Sequence, residues 1–326
     1  MTFRKWSRLI LSFLLTALFL WLVVRNLSFE DFFRALKEAE IIWIAAALLS
    51  FFIGYACRIA RWRLMLSKSN SNLLWITCVG PMFASVAANN VLPLRAGDVL
   101  RAFGFNKRLG ISASTSVTTL FIERGLDLLV IICTLGVLLW LFDLKASSLI
   151  GLGGLTVSLI AATILVILMF PNVRAPLILC VEYLVRRVMP NAAVKVSNQI
   201  RQANELLQHL SSRGQMARLI GWSLVAWMAE GCVFWFSALA LPSISQPFAA
   251  WLALVVGTLS TVVPSTPGFI GTFDYFVAQA MILLGNSLPA SSAYVFLVHA
   301  LLWLPPTVVG GIYFFLYPVD RNISRN

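Results

Sequence analysis

The stretch Ala87-Ala88-Asn89-Asn90-Val91-Leu92-Pro93-Leu94-Arg95-Ala96-Gly97-Asp98 closes an apolar segment that begins at Leu73. As the second half of a membrane-crossing helix it fails on two grounds. Two amides and a proline would lie at membrane depth, where every freed backbone group needs a partner. A crossing would also carry Arg95, Arg101, Lys107 and Arg108 to the outer face, whereas Lys and Arg collect inside. A re-entrant hairpin over residues 73–110, entering from and returning to the cytoplasm, removes both objections.

The rest of the chain fits a membrane setting. Of its 326 residues 60% are hydrophobic and only 12% are charged, with a mean hydropathy of +0.87. A soluble domain carries about 25% charged residues. The apolar runs are long rather than alternating, so the expected fold is an all-α polytopic membrane protein. The net charge of +12 is then read as topology, and nucleic acid is not an expected partner. The five cysteines are scattered without CxxC or Cys/His spacing, and the two histidines are His209 and His299. HExxH, GxxxxGK[ST] and a Rossmann glycine run are all absent from the sequence, so no metal or cofactor is expected.

Outward from the break, Leu9–Val24 follows Arg4, Lys5 and Arg8 and ends without a small-x-small cleavage site, which predicts an uncleaved first span. Ile41–Cys57 is the second span, followed by the basic cluster Arg58, Arg61, Arg63 and Lys68. Ile111–Leu141 and Leu149–Phe170 are the third and fourth. Residues 172–216 form a basic cytoplasmic connector, in which Val196, Ile200, Ala203, Leu207 and Leu210 keep the spacing of an amphipathic helix. Leu219–Leu241 and Ala290–Tyr317 complete about six spans. Between them, Phe248–Val263 and Thr272–Leu284 flank Pro264-Ser265-Thr266-Pro267-Gly268 and read as a second re-entrant hairpin over residues 248–285, although two full spans would leave the C-terminus on the same side. Of 25 lysines and arginines, this arrangement leaves only Arg25, Arg34, Lys37 and Lys145 outside and Arg124 within a span. Both termini are placed in the cytoplasm, and the membrane is the cell's inner (plasma) membrane. The chain reads as a single membrane domain, with halves at 1–171 and 217–326.

The two breaks align. Residues 90–99 lie on residues 261–270 without gaps, and Val, Pro and Gly coincide at a constant offset of 171. Three intervening spans turn the second copy over, giving the inverted repeat of broken helices that recurs among transporters.

The ionisable residues at membrane depth are the candidate chemistry. In Phe121-Ile122-Glu123-Arg124-Gly125-Leu126-Asp127, Glu123 and Asp127 share a face and Arg124 reaches Asp127 at i, i+3. They form either an internal ion-pair lock or the lining of a polar cavity. Glu230 sits mid-span with no basic residue in the same span, as a hydrogen-bonded core group or a proton-coupling carboxylate. Around the first break Asn89, Asn90, Arg95, Asp98 and Arg101 are candidates for an anionic headgroup, set against the plainer role of arginine as an orientation signal. Ser265, Thr266, Thr272 and Asp274 are the candidates at the second break, with Thr266 and Thr272 at the positions of Arg95 and Arg101. His299 reads as a packed core histidine.

Taken together, Pro93-x-Arg95-x-Gly97-Asp98-x-x-Arg101, Glu123-Arg124-x-x-Asp127 and Pro264-Ser265-Thr266-Pro267-Gly268-x-x-Gly271-Thr272 resemble the lysylphosphatidylglycerol synthase transmembrane-region family, also called flippase-like or UPF0104 proteins. The resemblance covers most of the chain. It implies a carboxylate at the positions of Asp98 and Asp274, and movement of a lipid with a polar headgroup between leaflets. Synthase members carry a soluble aminoacyl-transferase domain after the membrane part. Here the last apolar span ends near Tyr317, so that activity is expected to be absent and the chain is expected to act as a transporter rather than an enzyme. Some relatives are linked to hopanoid transport and others are fused to glycosyltransferases. The alternative is a membrane enzyme or accessory subunit acting on a polyprenyl-phosphate, hopanoid or phospholipid headgroup. The expected partners are a membrane lipid as substrate and a lipid-modifying enzyme.

Overall fold

The computed structural model describes residues 29–92, 95–142, 156, 159–160, 163, 171–188, 193–211, 214–261 and 267–317. Among these residues there are twelve α-helices: α1 (Phe29–Lys37), α2 (Ile41–Leu66), α3 (Trp75–Val91), α4 (Ala96–Phe103), α5 (Asn106–Leu109), α6 (Ala113–Leu141), α7 (Pro171–Val188), α8 (Ala193–Ser211), α9 (Gln215–Leu239), α10 (Ala249–Ser260), α11 (Thr272–Leu283) and α12 (Leu288–Leu316). The protein is an all-α membrane protein. Four helices, α2, α6, α9 and α12, are long and apolar enough to cross a bilayer. At 1.5 Å per residue their 25–29 residues extend about 38–44 Å, against a hydrocarbon core of about 30 Å. Leu49, Phe52, Phe121, Leu128, Met228, Ile312 and Phe315 point outward from them, an arrangement suited to lipid and not to water. The expected spans Leu9–Val24 and, but for four residues, Leu149–Phe170 lie outside the described residues, as do residues 93, 94 and 262–266.

The chain forms two compact units. The first holds residues 1–55, 82–98 and 226–318. Its core is built where helices approach closely at small residues. A Cβ on Gly54 would stand 3.4 Å from Ala226 O and Ala229 Cβ, and one on Gly310 would stand 2.3 Å from Phe83 O. Tyr55 stacks on Phe83 at 5.0 Å, and the Tyr294 hydroxyl donates to Phe234 O at 3.1 Å. Helices α10 and α11 have 12 residues each, about 18 Å, and pack on one another. Neither is long enough to cross alone.

The second unit holds residues 56–81, 99–225 and 319–326. Ile59, Trp62, Leu109, Leu126, Ile131 and Leu219 are among its buried apolar side chains. Arg63 donates to Leu73 O at 2.6 Å, which ties α2 to the connection that follows it, and Asn70 in that connection donates to Leu109 O of α5 at 2.9 Å. Helix α6 starts at Ser112, whose side chain accepts from Thr115 N and so satisfies one of the first-turn donors.

The structure corrects one boundary. The span expected to end at Cys57 continues to Leu66, straight through the basic cluster. Arg61 does not leave the helix for water; it turns inward, and buried, paired arginine no longer marks a helix end.

Candidate functional site

Each unit brings together part of the predicted set. In the first unit the two chain breaks meet. Helix α3 ends at Val91 and α4 starts at Ala96, and Gly97 lets α4 lie directly against α3. A Cβ there would fall 1.8 Å from Ser85 O, so no side chain fits. This contact places Asp98 on Asn89: Asp98 N donates to Asn89 Oδ1 and Asn89 Nδ2 donates to Asp98 Oδ1, both at 3.2 Å. Asn90 Nδ2 donates to Thr307 Oγ1 at 2.9 Å and to Trp303 O at 3.3 Å. The amides that made the segment a poor spanning helix therefore find partners on α4 and α12.

Arg95 crosses to the second break. Its Nη2 donates to both Thr261 O and Thr261 Oγ1 at 3.1 Å, and its guanidinium carbon lies 5.4 Å from the Phe269 ring centroid. Arg95 (φ 52°) and Phe269 (φ 60°) are the two non-glycine residues in left-handed backbone among those described. Each such conformation costs about 1–3 kcal/mol and persists only where the surroundings impose it. Gly268 (φ 70°) packs against Trp303, where a Cβ would stand 2.8 Å from Nε1.

Beyond the break, Asp274 accepts from Gly271 N at 2.8 Å through Oδ2, closing the first turn of α11. Its Oδ1 lies 2.5 Å from His299 Nδ1, and Phe273 meets the imidazole edge-on at 5.3 Å. His299, read from the sequence as a packed core histidine, is packed by Phe273 and bonded to Asp274. Thr272 is fully buried, and its Oγ1, like the Trp303 indole N–H, has no hydrogen-bond partner among the described residues. Ser265 and Thr266 lie outside the described residues. Glu230 belongs to this unit, half-buried on α9.

The second unit buries a charge cluster. Arg61 Nη1 donates to Asp127 Oδ1 at 2.6 Å and to Ser223 Oγ at 2.9 Å, while Nη2 donates to Asp127 Oδ2 at 3.2 Å and lies 3.8 Å from Glu123 Oε1. Arg101 Nη2 donates to Glu123 Oε1 at 2.9 Å, with its guanidinium 5.2 Å from the Trp62 ring centroid. Arg61, Arg101 and Glu123 are 0%, 3% and 5% exposed. The second Glu123 oxygen and Arg61 Nε are buried without a hydrogen-bond partner among the described residues. A cluster of two guanidinium groups and two carboxylates, with one acceptor and one donor unspent, can receive a group that brings both.

To the two readings open for Glu123, Arg124 and Asp127, an internal lock or a cavity lining, the structure adds cations from outside α6. Glu123 and Asp127 do share a face, but the arginines upon them come from α2 and α4, and Arg124 is exposed on α6. Arg61 was the residue the sequence reading missed, having been counted among the orientation charges. Its signal was positional: Arg61 falls four residues from both Cys57 and Met65, on the buried stripe of α2, whereas Arg63 falls on the exposed face. Among the described residues no three His, Cys, Asp or Glu side chains converge as metal ligands.

Known proteins are similar to this chain over most of its length. Glycosyltransferase AglD of Haloferax volcanii is 24% identical over 332 aligned positions, covering 93% of this chain and 53% of the relative. The chain therefore spans about half the length of that protein. A UPF0104 membrane protein of Methanocaldococcus jannaschii is 24% identical over 73% of this chain and 96% of its own. A UPF0104 membrane protein of Pyrococcus horikoshii is 20% identical, covering 95% of this chain and 96% of the relative. The first of these overturns the expectation that the chain is not an enzyme, because a protein named as a glycosyltransferase matches nearly all of it. With residues 9–310 matched by the family model described as the lysylphosphatidylglycerol synthase TM region, the chain belongs to that membrane-protein family.

Proposed function

We propose that this protein binds a lipid with a polar or anionic headgroup and carries that headgroup between the leaflets of the cell's inner membrane. The observation that carries the reading is the buried cluster of Arg61, Arg101, Glu123 and Asp127 on helices of an otherwise apolar bundle. A charge at the bilayer centre costs about 2.5–3.5 kcal/mol on insertion scales, so ionised residues there face a polar cavity or one another. Arginine forks suit phosphate as well as carboxylate, so an anionic headgroup competes with Glu123 and Asp127 for the same donors. The meeting of the two breaks at Arg95 and Thr261 supports the companion proposal: about six spans and two re-entrant hairpins in an inverted repeat, with both termini cytoplasmic. In this reading Asn89, Asn90, Arg95, Asp98, Ser265, Thr266, Thr272 and Asp274 line the breaks, Arg124 faces the entering headgroup, and Glu230 couples transport to protons. A lipid-modifying enzyme is the partner that supplies the lipid.

A second reading has its own support in the glycosyltransferase relative: transfer of a sugar or other group onto a lipid headgroup, with Glu123 or Asp127 as general base. One experiment separates the two. The protein is reconstituted in liposomes with fluorescent lipids of different headgroups, and leaflet exposure is followed beside the lipid's chemical identity. Headgroup-dependent exchange of unmodified lipid, lost in Arg101→Met, supports translocation. A modified lipid without exchange overturns it. Cysteine labelling fixes the topology: a cysteine at Arg108 reacting only from outside would sink the first hairpin.

A further inference from the structure

The second unit holds a polar cavity of about 220 Å³ whose lining includes none of the candidate site residues. It sits where α2 has ended and α6 begins, and α8 forms its other wall. On the α6 side the hydroxyls are already bonded to one another: Thr115 Oγ1 lies 3.0 Å from both Ser69 Oγ and Ser112 Oγ. On the α8 side the Ser114 hydroxyl donates to Gln202 Oε1, and Thr118 Oγ1 donates to the same oxygen at 3.4 Å. The Gln202 carbonyl is thereby committed to α6, and its two amide N–H donors have no partner among the described residues.

Two charges of opposite sign line the same cavity, Lys68 and Glu205. Neither pairs with the other or with any other described residue. The cavity therefore offers an ammonium and an amide as donors, a carboxylate as acceptor, and hydroxyls that can rotate to either role. This set is complementary to a ligand with an anionic acceptor at one end and neutral hydroxyl donors at the other. The lining favours hydroxyls over an ammonium as those donors, because it holds five serine and threonine residues and a single, exposed carboxylate. At about 30 Å³ per water the space equals roughly seven waters, enough for one small headgroup and too little for an acyl chain.

We propose that this cavity binds a phosphorylated polyol, free or as the headgroup of a lipid, with Lys68 and the Gln202 amide on the phosphate and Glu205 on a hydroxyl. The site also lies at one end of a polar line. Ser116 and Thr119 are buried on the α6 face that continues to Glu123, and Thr115 is eight residues, about 12 Å of helix, from Glu123. A vestibule for the buried arginines is therefore its natural use. That use rests on the translocation reading, whereas the binding itself does not.

The test is lysine footprinting of the full chain in phosphatidylcholine nanodiscs, with acetylation read by mass spectrometry. Free glycerol 3-phosphate is the probe in one arm, and nanodiscs enriched in phosphatidylglycerol are the other. Either should slow acetylation of Lys68 by about fivefold or more, as expected for an ammonium held by phosphate, and leave exposed Lys107 unchanged. Protection in the first arm alone assigns a soluble ligand, and protection in the second alone assigns a lipid headgroup. In the arm that protects, Gln202→Leu should weaken the effect. Glu205→Gln should remove the advantage of glycerol 3-phosphate over inorganic phosphate. No protection in either arm overturns the proposal, as does equal protection by inorganic phosphate and glycerol 3-phosphate in the unaltered protein. Lys68 protection in an unaltered protein that exchanges no lipid leaves the site standing while the translocation reading falls.

Discussion

Arg61 on α2 and Asp127 on α6 are joined by two hydrogen bonds, 2.6 and 3.2 Å long, and the arginine side chain is 1% exposed. A pair buried this deeply holds two helices in one register, and each member makes the other tolerable in an apolar setting. Removing one partner leaves the other charged, desolvated and uncompensated, at a cost of about 3–5 kcal/mol. Arg61→Met and Asp127→Leu should each lower the thermal midpoint of the detergent-purified protein sharply. The double variant should recover most of the loss, since apolar replacement of a whole pair is often neutral. A double variant as unstable as the worse single one would mean that the pair does not account for the stability of this contact.

Backbone proximity gives a second expectation. Gly97→Ala places a methyl 1.8 Å from the Ser85 carbonyl oxygen, and neither backbone can yield without separating α3 from α4. Overpacking of this kind should destabilise by about 3 kcal/mol or more. Gly125→Ala, with nothing within 4 Å, should be neutral or stabilising by about 0.5–1 kcal/mol. Thermal unfolding of the two variants side by side checks the contrast, and equal midpoints would refute the close approach.

The positions of the breaks were legible because proline, amides and arginine cannot all be accommodated in a spanning helix. Their partners were not. Nothing in the sequence around Asn90 points to Trp303 and Thr307, which are more than 200 positions away, or from Arg95 to Thr261. Glu123 and Asp127 stood out as charges in an apolar run, yet local spacing suggested Arg124 as their cation. The guanidinium groups bonded to them are set there by tertiary packing, Arg61 from the basic cluster after the second span and Arg101 from the first break. His299 was hidden for the same reason, since a lone histidine in an apolar helix carries no sign of Asp274 on the neighbouring helix.

Glu230 is half-buried on α9, in the unit that also holds the two breaks. Glu230→Gln keeps the shape and hydrogen-bonding capacity of the side chain and removes its titration. The variant should fold, exchange lipid passively at the rate of the unaltered protein, and lose any stimulation by a pH gradient imposed across the liposome. Stimulation that persists unchanged would take Glu230 out of proton coupling.

Arg95 is held at both ends of its chemistry, by hydrogen bonds to Thr261 and by the Phe269 ring under its guanidinium. If its role were only to pin one break to the other, then removing the Thr261 hydroxyl would do part of the same damage. Thr261→Val and Arg95→Ala would then lower stability and transport in proportion. A headgroup ligand predicts a different pattern. Thr261→Val leaves the cation and its bond to the Thr261 carbonyl, so transport should be nearly retained. Arg95→Ala should reduce transport by about tenfold more, equivalent to about 1.4 kcal/mol of lost interaction. Arg95→Lys should fall between them, because an ammonium keeps the charge but not the planar fork. Arg186→Ala, within the basic connector, should leave exchange unchanged. The reading is decided by comparing initial lipid-exchange rates in liposomes with thermal midpoints for the same four variants: rates that simply track midpoints would return Arg95 to a packing role.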